Sequence, residues 1–153
     1  KGGGRKITYP LSLWGFFIFM QNERQKVGAI GEDIACDYLK KKGFQILNRN
    51  FRTKWGELDI VALSKKTLVF VEVKTPRVAS LPQGRPFAKS EFLPEDEITP
   101  HKANQLRTMS QIYLSANKLP QDTACQIDII AIELLDNNQI SEIRHIENAI
   151  EDY

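Results

Sequence analysis

Asp59, Glu72 and Lys74 are the residues whose types and spacing carry chemistry. They lie in the stretch GELDIVALSKKTLVFVEVK, Gly56 to Lys74, which reads as two strands of period two joined by a tight turn. A symmetric two- or four-residue loop between Ser64 and Thr67 sets Asp59 opposite Glu72 and Glu57 opposite Lys74. Directly opposed residues have Cβ atoms roughly 5 Å apart, and like charges at that range repel unless something offsets them. A divalent cation does so: Mg²⁺ takes one or two carboxylates and fills its octahedron with waters and phosphate oxygens. Lys74, two residues beyond Glu72, projects from the same face, where an ammonium orients a water or neutralises charge on a phosphoryl transition state. Glu57 either pairs with Lys74 or reaches the metal. The rival reading is a charged, solvated strand face, but Val61, Leu63, Leu68 and Phe70 share that face, and carboxylates in apolar surroundings are costly without a partner.

The elements that must position this hairpin follow from periodicity. Val27, Ile30, Ile34, Ala35 and Tyr38 have helical spacing, Asn22 and Gln25 form a capping box, and Lys40 to Lys42 with Gly43 give a basic last turn and a stop, so a helix spans about 23–42. Glu32 falls at the edge of its apolar stripe beside Gly28 and Ala35, whose small size lets the helix approach the sheet. From there its carboxylate either completes the metal site or binds one of its waters, unless it is simply a surface residue. Phe44, Ile46 and Asn48 suggest a first strand. Arg49, Arg52 and Lys54 then flank Phe51 and Trp55, a pattern that holds phosphates and stacks a base if the rings are exposed; we expect both rings in the core and some of the cations on phosphate.

Residues 75–98 carry Pro76, Pro82, Pro86, Pro94 and Gly84 without a period, and read as a long loop. Arg77, Arg85 and Lys89 make it a candidate flap over nucleic acid, a disordered insertion being the alternative. Thr99-Pro100 starts a second helix running to about Ala116, with Lys102 and Arg107 as candidate phosphate contacts and His101 on the surface. QIDIIAIELL is an apolar strand after a crossover helix, hence parallel and interior, with Asp128 either near the site or at a strand end. A turn at Asp136 to Gln139 leads to an edge strand through Ile140, Ile143 and Ile146. No repeat or second domain is visible.

Asp59, a spacer and Glu72-x-Lys74 on an apolar strand resemble the PD-(D/E)xK superfamily of metal-dependent nucleases. The wider set is Gly28-x-x-Gly31-Glu32, Ala35, Tyr38-Leu39, Gly43-Phe44, Asn50-Phe51-Arg52, Gly56-Glu57-Leu58-Asp59, Phe70-Val71-Glu72-Val73-Lys74, Lys102 with Leu106, Asp128, and His145-Ile146. In that order and spacing, over residues 23 to 150, it resembles the YraN family of bacterial predicted endonucleases. The resemblance implies a single α/β domain of restriction-endonuclease-like fold: a central mixed β-sheet flanked by helices, with an αβββαβ core plus an edge strand. It implies Mg²⁺- or Mn²⁺-dependent hydrolysis of DNA phosphodiester bonds, with Asp59 and Glu72 on the metal, Lys74 at the water and Glu32 assisting; branched, flapped and single-stranded DNA are the candidate substrates. Two positions depart from the family. Pro76 and Gln126 stand where arginines are common, which puts substrate grip in doubt even if Arg77 replaces the first.

The bounds from composition are permissive. The chain has 153 residues, 42% hydrophobic and 26% charged, enough for one domain with a core. A net charge of +2 permits nucleic acid as a partner without requiring it. Cys36 and Cys125 lack the spacing of a zinc site or disulfide framework and read as free thiols of a cytoplasmic protein. Residues 1–22 form an N-terminal extension, basic and then apolar. Its first nineteen residues read as a start set too early or sequence foreign to the domain, as an extension that packs on the domain or a partner, or as a targeting segment; the run is too short to span a bilayer. The oligomeric state is open, a homodimer included. A non-catalytic nucleic-acid-binding or scaffold protein on the same fold is the competing function.

Overall fold

The computed structural model describes residues 11–78 and 98–150, with side chains over 23–77 and 98–150. Most of the loop expected at 75–98, with Arg85 and Lys89, lies outside the described residues.

Helix α1, Leu11–Lys41, is longer than its apolar spacing indicates: it runs unbroken through Asn22, so the Asn22/Gln25 box does not cap it. Its end behaves as expected. Gly43, at φ 87°, takes the left-handed position, and the bonds Gly43 N to Lys40 O (3.0 Å) and Phe44 N to Leu39 O (3.0 Å) close a Schellman turn. Three antiparallel strands follow: β1 (Gln45–Thr53), β2 (Gly56–Ser64) and β3 (Thr67–Lys74). The β2–β3 register runs from Ser64↔Thr67 to Ile60↔Val71, the register expected, across the two-residue loop Lys65-Lys66.

A short strand β4, Arg77–Val78, lies within the span read as loop and pairs with β5. Helix α2, Pro100–Ala116, begins where the Thr-Pro signal places it: the Thr99 hydroxyl accepts from Lys102 N at 3.2 Å, with Pro at the first helical position. It returns the chain to β5, Cys125–Leu135, parallel to β3; β6, Ile140–Ile146, is antiparallel to β5. The sheet order is β1-β2-β3-β5-β4, with β6 on β5. This is a single-domain α/β fold with a mixed sheet between two helices, consistent with the restriction-endonuclease-like fold.

Each sheet face has its own core. On one, Val27, Ala35 and Leu39 of α1 pack on Ile60, Ala62, Val69, Val71, Ile130 and Ile132. On the other, Leu106, Met109, Tyr113 and Leu114 of α2 pack on Leu58, Val61, Phe70 and Ile127. Covered on both sides, β5 reads as a continuous apolar run rather than an alternation.

Leu58 and Ile60, two residues apart, belong to opposite cores. Strict alternation would put them on one face, so the strand re-aims its side chains between them, at Asp59. The partner strand does the same: Asn50, between Arg49↔Ile60 and Phe51↔Leu58, has a φ of 52°. The regular alternation expected along β2 therefore breaks at Asp59.

Candidate active site

The β2–β3 ladder stops at Ile60↔Val71, one pair short of Asp59 and Glu72. In its place the Asp59 carboxylate Oδ2 accepts the Val73 N–H at 2.7 Å. Substituting a side chain for a backbone carbonyl keeps the amide satisfied. Burial, the neighbouring Glu72 charge and, more weakly, Glu32 push the Asp59 carboxyl up to about 7, against the opposing effects of the Val73 amide and Lys102.

Glu72 is buried, its side chain 6% exposed, on the α2 side of β3. Its Oε1 takes two cations, Lys102 Nζ at 2.9 Å and Lys74 Nζ at 3.3 Å, while its buried Oε2 has no hydrogen-bond partner. A buried carboxylate oxygen left unsatisfied costs on the order of 1–3 kcal/mol, so such an atom in a folded protein calls for an explanation. Lys102 was expected on phosphate; the structure puts it in the carboxylate cluster. It occupies the first turn of α2, where the helix dipole disfavours a cation. Glu72 offsets that cost. The misplaced charge in the first helical turn is the sequence signal that identifies Lys102.

Glu32 comes from α1. Its Oε2 accepts from Asn50 Nδ2 at 2.6 Å, with Arg49 at 3.9 Å, and its charge is felt at Asp59. Among the described residues no three of His, Cys, Asp and Glu close into a group able to hold a metal ion by themselves. The donor set that fits a hard divalent cation is therefore Asp59 and Glu72: two carboxylates that repel, one with an orphaned oxygen, the other coordination positions falling to waters and substrate. Asn50, which bridges strand β1 to Glu32, was named from sequence only within the Asn50-Phe51-Arg52 motif and without a role; its left-handed backbone conformation, tolerated best by Asn and Gly, leaves little trace there.

The remaining candidates scatter. Arg49 binds Asp33 at 2.6 Å, and Arg52 binds Glu57 at 3.0 Å, so Glu57 pairs across β1–β2 rather than with Lys74. Arg77 donates to Asp136 O (3.2 Å) and Asn138 Oδ1 (2.9 Å), fastening the β5–β6 turn. Arg107 lines a separate cavity of about 260 Å³ with Gln126 and Asn148. Of the two rings expected in the core, Phe51 packs edge-on to Tyr113 at 5.1 Å, but Trp55 is 61% exposed. It sits on the β1–β2 turn, beyond the reach of either core, with Lys54 Nζ 4.9 Å from its ring centre. His101 is exposed, as expected, and Cys36 and Cys125 are not joined in a disulfide.

Asp128 is fully buried, in register with Val71 on the α1 side of the sheet, the face opposite Glu72. Its Oδ1 accepts from Gln126 Nε2 (2.8 Å) and Asn148 N (2.9 Å), and its Oδ2 meets His145 Nε2 at 2.8 Å. Gln126, the departure noted above, is thus an internal partner of Asp128.

The sequence pattern of the uncharacterised protein family UPF0102 matches residues 31–132. The chain belongs to this family. UPF0102 is the YraN family, so the resemblance carried by the motifs holds. The UPF0102 protein of Alkaliphilus oremlandii is 37% identical over 126 residues, 82% of this chain and 97% of that one. Those of Geotalea daltonii and Trichlorobacter lovleyi are 38% and 41% identical, over 86% and 83% of this chain and 94% and 91% of theirs. Among the described residues of this UPF0102 member, no helix is long and apolar enough to cross a membrane.

Proposed function

We propose that the protein is a metal-dependent endonuclease that hydrolyses DNA phosphodiester bonds. The observation that carries this reading is the pairing of Asp59 with Glu72: two mutually repelling carboxylates at the broken end of a ladder, one with a buried oxygen lacking any partner. Asp59 and Glu72 would hold Mg²⁺ or Mn²⁺. The bound ion would lower the pKa of a water and offset charge on the scissile phosphate. Asp59 needs to lose its proton to serve as a ligand, and a pKa of about 7 makes that easy at mildly alkaline pH. Lys74 and Lys102, both bound to Glu72 and each 24% exposed at the side chain, present two ammonium groups at the edge of the site. There they attract a phosphate and neutralise charge that develops on it. Glu32, held by Asn50, orients water from the α1 side.

The test is cleavage of labelled single-stranded, duplex, flapped and four-way DNA with Mg²⁺ or Mn²⁺, run beside Glu72→Ala. Cutting by the wild type alone supports the nuclease and identifies its substrate shape. If neither protein cuts and both bind DNA equally, the non-catalytic scaffold is the correct reading.

A further inference from the structure

Among the described residues Trp55 is the largest apolar side chain left in solvent, 61% exposed. Its turn is nonetheless firmly built. Gly56 has a φ of 148°, which a side chain rarely adopts, and a Cβ there would meet Gln105 Nε2 at 2.9 Å. Gln105 Nε2 reaches the Trp55 carbonyl at 3.4 Å, and Trp55 N donates to the Thr53 hydroxyl at 3.1 Å. The turn is therefore docked on α2, the helix that supplies Lys102. Between turn and helix lies an open cavity of about 430 Å³, lined by Arg52, Lys54, Trp55, Glu57, Lys102 and Gln105 among others, with Arg52 paired to Glu57 at 3.0 Å on its wall, a volume in the range of small-ligand sites. Lys102, which lines the cavity, also touches Glu72, 2.9 Å away.

We propose that this cavity is a base-stacking subsite. Trp55 stacks one unpaired nucleobase while Arg52, Lys54 and Lys102 hold the adjoining phosphates. A duplex keeps its interior bases stacked on each other and offers the ring a face only at its two ends. The substrate class selected is nucleic acid with an unpaired base beside the scissile phosphate: single strands, gaps and the frayed edges of branches. Aromatic stacking serves any base, because each has a π-face. The subsite therefore selects for strandedness and not for sequence. The inference rests on the nuclease reading of the neighbouring carboxylates, but its test does not.

The chain has two tryptophans, so Trp14→Phe leaves Trp55 as the sole indole reporter. With EDTA present, this protein is titrated with single-stranded oligothymidylate and with a blunt duplex of equal length. Trp55 fluorescence should be quenched by the single strand and little changed by the duplex. Trp55→Ala should weaken single-strand binding ~10-fold, the order of one stacked base, and leave duplex binding within about twofold. Trp55→Phe, which retains a ring, should recover most of the loss. Equal quenching by both nucleic acids, or equal weakening of both by Trp55→Ala, overturns the subsite. Binding without metal is the readout, so failed cleavage would count against the nuclease and leave this result standing.

Discussion

Two buried carboxylates lie on neighbouring strands of one sheet and are treated in opposite ways. Asp128 has three partners distributed over both oxygens, and its His145 partner is buried with it. Glu72 has two lysines crowded on one oxygen, nothing on the other, and a second carboxylate alongside. A satisfied carboxylate is an internal strut: Asp128 ties β5 to β6 and to the backbone after β6. An unsatisfied one carries a cost that folding alone does not explain, and such costs collect at sites that await a ligand.

The sharpest break between the two is substitution. Asp128→Ala leaves the buried His145 side chain without its partner and releases Gln126 and the Asn148 amide, and should destabilise the fold by ~3–5 kcal/mol, the scale for removing one partner of a buried pair. Asp59→Asn removes a repelling charge yet keeps an oxygen for the Val73 N–H. Without metal at pH 8 its melting temperature should equal or exceed that of the wild type, while cleavage falls. Equal destabilisation by both variants in thermal melts would erase the distinction.

Mn²⁺ sharpens it from the other side. A ligand at a hundred times its Kd stabilises by ~2.7 kcal/mol, so Mn²⁺ should raise the melting temperature of the wild type and of a folded Asp128→Asn, and not that of Asp59→Asn. A shift that survives in Asp59→Asn would place the ion elsewhere.

Proton linkage gives an effect with a definite sign. Asp59 titrates near pH 7 in the folded chain, against ~3.9 unfolded. Between about pH 4 and 7 the folded state keeps a proton that the unfolded state has lost, so in EDTA this group's contribution to stability falls as pH rises through that window and levels off above it. Urea melts of wild type and Asp59→Asn across this range should converge at low pH and separate towards pH 7, the wild type becoming the less stable. Parallel curves would mean that Asp59 ionises normally.

How far these regions could be read from sequence depends on whether each feature is local. The β2–β3 register follows from a period of two and a short loop, and the start of α2 from a Thr-Pro pair; both are encoded within a few residues. The parallel placement of β5 follows from its apolar run after a crossover helix. What escaped was set by tertiary contact. Lys102 reaches Glu72 only because α2 docks on that face, and the slip at Asp59 requires the matching distortion at Asn50 on another strand. Trp55 looks like core in a sequence window, because nothing local announces that its turn leaves the ring outside both cores.

Gly28 and Gly31 bring the comparison to its smallest scale. The sequence pointed to Gly28, with Ala35, for the close approach of α1 to the sheet, and Gly31 entered only through the family motif. A Cβ on Gly28 meets nothing within 4 Å, whereas one on Gly31 would overlap the Thr75 hydroxyl and lie 3.0 Å from Thr75 Cβ. Thr75 directly follows Lys74, so Gly31 is where the helix carrying Glu32 rests on the strand end carrying the site. Gly28→Ala should therefore stabilise by up to ~1 kcal/mol through helix propensity alone. Gly31→Ala gains the same propensity but forces the helix off Thr75, an overpacking cost of ~1–3 kcal/mol, and should come out destabilising. It should also lower cleavage, because the helix that shifts is the one that carries Glu32. Opposite signs in thermal melts would establish Gly31 as the contact, and stabilisation by both would mean that α1 stands further from the sheet.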